Sequence, residues 1–354
     1  MNLKTMNKTT RSNFITYAMV IVAFVVVQAM ASTGGISSSL KGQLVPICAY
    51  IVMAISLNLT VGVLGELSLG HAGFMSVGAF SGVIAAIYFG QTIENTAVVM
   101  ILAMAVGGFF AAVVGVLVGV PVLRLSGDYL AIVTLAFGEI IKGIVNNLYV
   151  GMDANGLHFC MIKNTLEMEG GKMLLNGPMG LTGIPRIATF TMGFVLIMVC
   201  LIVIFNLVNS KSGRAIMALR DNKIAAQSVG INVTSYKLMA FVISAAMAGM
   251  AGVLFATNFS TVVASKFDIN TSILVLVFVV LGGLGNMRGS IIAAIVLTVL
   301  PEVLREFSEY RMLVYAIVLI VMMLATNNPT LKNAISNFTG KFKRNSGKGE
   351  KVNG

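Results

Sequence analysis

Residues 210–237 read SKSGRAIMALRDNKIAAQSVGINVTSYK and separate two apolar runs, 187–209 and 238–260. Each run has the length that crosses a bilayer as a helix. The stretch between them carries Lys211, Arg214, Arg220, Lys223 and Lys237 against a single acid, Asp221. A basic polar connection held between two spans places the chain among helical membrane proteins. Inside it lies a short helix signal. Asp221 or Asn222 supplies an N-cap, Ile224, Ala225 and Ala226 continue the turn, and Gly230 takes the left-handed position that ends it. A capped helix of this kind suits another protein's cleft. The same residues also fit an ordinary basic loop that only sets topology.

Composition agrees with the membrane reading. Of 354 residues 57% are hydrophobic and 10% charged, far too few charges to cover a soluble domain of this size. The net charge of +11 does not point to nucleic acid, because the basic residues sit in connections and tails. Cys48 and Cys200 fall inside apolar runs and Cys160 stands alone, so neither a disulfide framework nor a metal spacing exists. The chain has no Trp, which leaves Tyr17, Tyr50, Tyr88, Tyr149 and Tyr315 to form any aromatic belt.

Ten apolar segments stand out: roughly 14–31, 44–64, 68–89, 96–120, 129–149, 187–209, 238–260, 271–287, 289–301 and 311–326. The third opens on polar, glycine-laced residues and the ninth runs into Pro301; with both re-entrant, eight spans remain. With ten spans and the N-terminus inside, the inner connections hold 16 Lys/Arg and the outer ones seven, which predicts both termini in the cytoplasm. Lys4, Lys8 and Arg11 followed by an apolar run and Ala29-Met30-Ala31 imitate a signal peptide, but the run is long, and it is read as a first span. The organisation expected is a cytoplasmic arm at 1–13, a transmembrane domain at 14–326 and a basic tail at 327–354 lying near anionic lipid. Within the domain, 150–186 is an outer loop with turns at Asn176-Gly177-Pro178 and Gly183-Ile184-Pro185. It either receives a soluble partner or closes the bundle.

Glycine carries the next signal. Gly78/Gly82, Gly115/Gly119 and Gly285/Gly289 are each spaced by four, which lets a neighbouring helix approach closely. From Asn58 onward, Gly62, Gly65, Gly70 and Gly73 surround Glu66 and His71, a pattern suited to a broken helix or a tight re-entrant turn. Gly282, Gly283 and Gly285 form a second interruption in the later half. Two broken segments in matching halves suggest an internal repeat with a pathway between the halves, and close helix packing alone is the plainer alternative. Glu139 and Lys142 share one helix face three residues apart and neutralise each other, either lining a wet path or fixing helix register. Glu66 and His71 form either a proton relay or a structural turn. Glu302, Arg305, Glu306 and Glu309 read as a solvated outer face. No nucleotide-binding loop, metal-ligand cluster or nucleophile–base pair occurs, so any ATP used belongs to another chain and this one is not an enzyme.

Several runs together resemble a known family. They are Ser56-Leu57-Asn58-Leu59 through Gly62, Gly65 and Leu67-Ser68-Leu69-Gly70-His71-Ala72; Gly127-Asp128-Tyr129 through Gly138-Glu139; and Gly177-Pro178-Met179-Gly180-Leu181-Thr182-Gly183. With Gly213-Arg214-Ala215, Arg220-Asp221-Asn222, Ala225-Ala226 through Gly230, and Leu281-Gly282-Gly283-Leu284-Gly285, they are similar in order to LivM-type permeases of branched-chain amino acid ABC importers.

The resemblance implies an all-α permease fold of about ten (eight to ten) transmembrane helices with an internal two-fold repeat, in the inner membrane. It implies a second, LivH-type permease, two cytoplasmic ATPases that bind ATP and Mg, an external binding protein, and an amino acid as cargo. It places Arg220, Asp221, Asn222, Ala225, Ala226 and Gly230 in a loop that docks on the ATPase, which favours the cleft-seated helix over the plain basic loop. Asn58, Gly62, Gly65, Glu66, Gly70, His71, Glu139, Lys142, Gly282, Gly283 and Gly285 become candidates for the path or its hinges. Lys223 and Gln227 depart from the family, which often has Glu at both places. Related permeases move urea or short amides. The competing classes are an ion-coupled secondary transporter or channel, with Glu66, His71, Glu139 and Lys142 as an ion or proton relay, and a purely structural assembly subunit.

Overall fold

The structure, a computed structural model, describes residues 8–35, 37–125, 127–153, 156–161 and 171–304, and four isolated positions at 313, 316, 317 and 320. By internal contacts the chain divides into Met1–Thr298 and Val299–Gly354. Apart from those four positions, the tenth expected span lies outside the described residues, as do the basic tail and Arg305, Glu306 and Glu309.

The helices are α1 (Lys8–Ser32), α2 (Ser38–Asn58), α3 (His71–Phe89), α4 (Thr96–Val122), α5 (Asp128–Asn146) and α6 (Phe190–Asn209). They continue as α7 (Lys211–Asp221), α8 (Lys223–Ser228), α9 (Val233–Ala256), α10 (Ile269–Gly282) and α11 (Met287–Val303). Short polar side chains start many of them: Asn95, Thr189, Asn232 and Asp268 each accept from a backbone N–H in the first turn that follows. Among the described residues, seven segments are long and apolar enough to cross a membrane: 13–32, 38–64, 71–89, 96–122, 190–209, 233–256 and 264–282. The third expected span is therefore a full crossing length. The fifth and ninth expected spans form α5 and α11 but are not among the seven.

α9 is the centre of the first unit, packed against α2, α3 and α4. Small residues make this approach. A Cβ added at Gly78 would lie 2.2 Å from the Gly249 carbonyl oxygen, and one at Gly252 would lie 2.0 Å from that of Met75. Gly82, Gly115 and Gly119 likewise face Val253, Ala245 and Leu238. The spaced glycines of α3 and α4 thus mark close approach to α9, backbone to backbone at Gly78 and against α9 side chains at Gly82, Gly115 and Gly119, where lipid supplies no hydrophobic drive and van der Waals fit must hold the helices.

Between α5 and α6 the chain departs from an all-α fold. Strands β1 (Leu148–Asp153), β2 (Gly156–Met161), β3 (Lys172–Asn176) and β4 (Leu181–Thr182) join β5 (Thr261–Val262) in an antiparallel sheet of order β2-β1-β3-β4-β5. Leu148 and Tyr149, expected at the end of the fifth span, are strand residues instead. An open sheet leaves edge N–H and C=O groups that lipid cannot satisfy, so this layer belongs outside the hydrocarbon. At the turns expected around 176–178 and 183–185, Gly177 and Gly183 take positive φ.

Candidate functional site

The basic 210–237 stretch folds as two helices and the first turn of a third. α7 buries Gly213, Ile216 and Leu219, which share one face, and α8 follows after a one-residue break at Asn222. Asn222, not Asp221, caps α8: its Oδ1 accepts from the Ala225 N–H at 3.0 Å. At the other end, Gly230 has φ +85°. Its N–H donates to Gln227 O at 3.0 Å, and the Ile231 N–H donates to Ala226 O at 3.1 Å, the paired bonds of a Schellman end. Ile231 packs on a cluster of Leu219, Ala226 and Val233, which anchors α8 by its single buried residue. The remaining residues of α8 face outward, and Ile224 and Val229 are each 77% exposed.

The first glycine-rich stretch is a broken helix. α2 passes into a wider, π-type turn over Leu59–Leu64, and Gly65 ends it with φ +81°. Irregular chain then leads to α3 at His71. Two cations reach this break. Arg220 donates through Nη1 to the Gly62 carbonyl at 2.9 Å while its Nε and Nη2 hold Asp221 at 3.2 and 3.1 Å. Lys237, on α9 rather than in the connection before it, forms an ion pair with Glu66 and is nearly buried.

The second break meets the first. α10 ends at Gly282, and Gly283 and Gly285 carry φ of +91° and +78° before α11 begins. Asn58 joins the two breaks, accepting from the Gly285 N–H at 2.8 Å and donating to Ser290 Oγ at 2.9 Å. Gly62 lies against the same point: a Cβ there would sit 2.0 Å from Asn58 Oδ1 and 2.2 Å from Gly285 N. Gly282 packs on the backbone of Gly289 and Ser290.

Other candidates stand apart from this group. His71 pairs with Ser56, Nε2 to Oγ at 2.8 Å, and Glu66 pairs with Lys237, so the structure does not join Glu66 to His71 in a relay. Gly70 is pressed against the Thr134 carbonyl of α5, and the Leu69 and Ala72 N–H groups are held by Thr134 and Ser272. Glu139 and Lys142 form their expected pair at 3.0 Å, partly exposed, beside a small cleft that includes Gly73 and Asp268. Among the described residues, no group of His, Cys, Asp and Glu could hold a metal ion. Sequence reasoning missed α7, the placement of Lys237, and Ser290. Asn232 carried the usable signal, since a cap there starts α9 before Lys237.

A family described as the branched-chain amino acid transport system / permease component matches residues 39–325. The chain belongs to this family. It is 38% identical over 286 residues to the high-affinity branched-chain amino acid transport system permease protein LivM of Escherichia coli K12, covering 78% of this chain and 66% of that one. The LivM of Salmonella typhimurium is 37% identical over the same shares. A probable LivM of Methanocaldococcus jannaschii is 24% identical over 74% of this chain and 80% of its own length. This family member thus spans slightly less than two thirds of the two enterobacterial proteins. No solved structure matches it. With seven helices among the described residues long and apolar enough to cross a membrane, the chain is a multi-pass membrane protein.

Proposed function

We propose that this chain is the permease subunit of an ABC importer that moves branched-chain, aliphatic amino acids into the cell. The observation that carries the reading is α8, a Schellman-ended helix whose Ile224 and Val229 stand in the open beside basic residues. Cytoplasmic ATPase chains, holding ATP and Mg, take α8 in a cleft. Asp221 and Asn222 set its start, Ala225 and Ala226 its body, and Gly230 its end, while Arg220, on α7 behind it, couples it to the rest of the chain. A LivH-type permease pairs with this chain, and an external binding protein docks at the outer 150–186 connection. The fold has eight to ten spans with both termini cytoplasmic and an internal two-fold repeat, to which the two glycine breaks lend support. The permease domain covers 14–326, between a short arm at 1–13 and a basic tail at 327–354. Gly62, Gly65, Gly282, Gly283 and Gly285, with Asn58, act as hinges of the path.

An ion relay through Glu66 and His71 is disfavoured, because Glu66 bonds to Lys237 and His71 Nε2 to Ser56 rather than to each other. The test is uptake of labelled leucine into vesicles holding this chain, its partner permease, the ATPases and the binding protein, each omitted in turn. ATP-dependent uptake that needs every component is expected, and competition with urea or short amides then defines the cargo class. Flux through this chain alone, driven by a proton or sodium gradient, overturns the reading.

A further inference from the structure

We propose that Arg220 is a positioning residue that carries displacement of α8 to the junction of the two helix breaks, by pulling on the Gly62 peptide. This rests on the proposed role of α8 as the ATPase-docking helix and adds what lies behind it. The outward part of the segment is α8. Arg220, at the end of α7, turns the other way. Its stem lies so close over Gly65 that a Cβ there would sit 2.5 Å from Arg220 Cγ. Its guanidinium spans two acceptors, the Gly62 carbonyl on the break and the Asp221 carboxylate one residue before the cap of α8. A forked cation can hold two such groups at once, and a charge-assisted bond of this kind is stronger than a neutral one.

Gly62 is placed to pass the pull on. Its carbonyl takes the Arg220 bond, while its Cα side touches Asn58 Oδ1 and Gly285 N, with no room for a methyl group. The peptide cannot move without disturbing the Asn58–Gly285 bond. A π-type turn ended by a left-handed glycine is a local departure from the helix ladder, and such departures recur at functional sites. The Glu66–Lys237 pair binds the same break to α9, bypassing α7 and α8, so it steadies the break without linking it directly to the docking helix.

The experiment uses the assembled importer in lipid nanodiscs and vesicles, with a reporter thiol placed by Val61→Cys in a Cys160→Ser chain. Val61 lies in the π-type turn and is half-buried. Maleimide modification is compared without nucleotide and with ATP plus vanadate. Arg220→Met is expected to retain the ATPases and their hydrolysis, to lose about tenfold in transport per ATP, and to abolish the nucleotide response of the thiol. Arg220→Lys, which keeps the charge but not the fork, should fall between and serves if Arg220→Met does not assemble. A merely structural role would not remove the nucleotide response from a chain that still binds and fires its ATPases. The proposal is overturned if the thiol responds in Arg220→Met as it does with Arg220 intact, or if it shows no response even then. It is also overturned if a monodisperse Arg220→Met chain sheds the ATPases, since Arg220 then belongs to the dock itself. Ile224→Asp separates the two levels: if that variant keeps its ATPases and transport, the docking reading of α8 fails whatever Arg220 does.

Discussion

Asn58 and Gly285, 227 positions apart, are bonded to each other at the point where two helices break: the Gly285 N–H donates to Asn58 Oδ1 at 2.8 Å. The same carboxamide gives its N–H to Ser290, so one fully buried side chain ties the second break to the helix that follows it. A left-handed turn such as Gly283–Gly285 leaves backbone N–H groups that helix geometry no longer pairs, and a side chain that accepts from one of them restores a partner. Asn supplies an acceptor and a donor from one group, which neither Asp nor Leu does.

Asn58→Ala should therefore lower stability by about 1 kcal/mol for each of the two hydrogen bonds it removes. Thermal unfolding of the purified permease in detergent measures it. An unchanged midpoint would show that the bridge contributes nothing to holding the breaks together.

Gly62 and Gly230 should fail for different reasons. Gly62→Ala puts a methyl 2.0 Å from Asn58 Oδ1, so it breaks the bridge and should lower both stability and transport. At Gly230 nothing lies within 4 Å, and only the φ of +85° opposes a side chain. Gly230→Val should cost about 1–2 kcal/mol of backbone strain, spoiling the end of α8. Its complex should still assemble while uptake is uncoupled from ATP hydrolysis. Normal uptake by Gly230→Val would remove α8 from the coupling route.

Removing one partner of the Glu66–Lys237 pair leaves either the buried Lys237 ammonium or the partly buried Glu66 carboxylate uncompensated. Glu66→Gln or Lys237→Met alone should destabilise by about 3–5 kcal/mol, and the double variant should recover most of that loss. Denaturation of all three in parallel gives the coupling. Additive losses in the double variant would mean that the two groups do not act as a pair.

Ile224→Asp and Val229→Asp alter residues that touch solvent, so the isolated chain should change by no more than about 0.5 kcal/mol. Co-purification of the ATPases should nonetheless fall sharply, because a charge on the apolar contact must be desolvated on docking. Full retention of the ATPases by both variants would place the dock elsewhere.

Much of the local structure was legible because it depends on residues close in sequence. The α8 helix is one case: a cap within three residues and a glycine two beyond the last turn fix it without reference to the rest of the chain. The apolar runs gave the spans in the same way. Lys237 was harder, since its charge argued for the loop while Asn232 argued for a helix start, and only the buried Glu66 on a distant segment reconciles the two. The sheet between α5 and α6 was not legible either, because its strands are short and its last strand, β5, joins β4 only after α6 to α9.

By itself the sequence determined that this chain is a multi-span helical protein, where its helices break, and that a short capped helix interrupts its apolar runs. Hydropathy, caps and left-handed glycines are properties of neighbouring residues, so they survive without a fold. Tertiary structure alone decided that Asn58 faces Gly285, that Arg220 reaches Gly62, and that Glu66 turns to Lys237 rather than to His71. Those pairings join segments far apart in the chain, and their partners are selected by how α2, α9 and α10 pack.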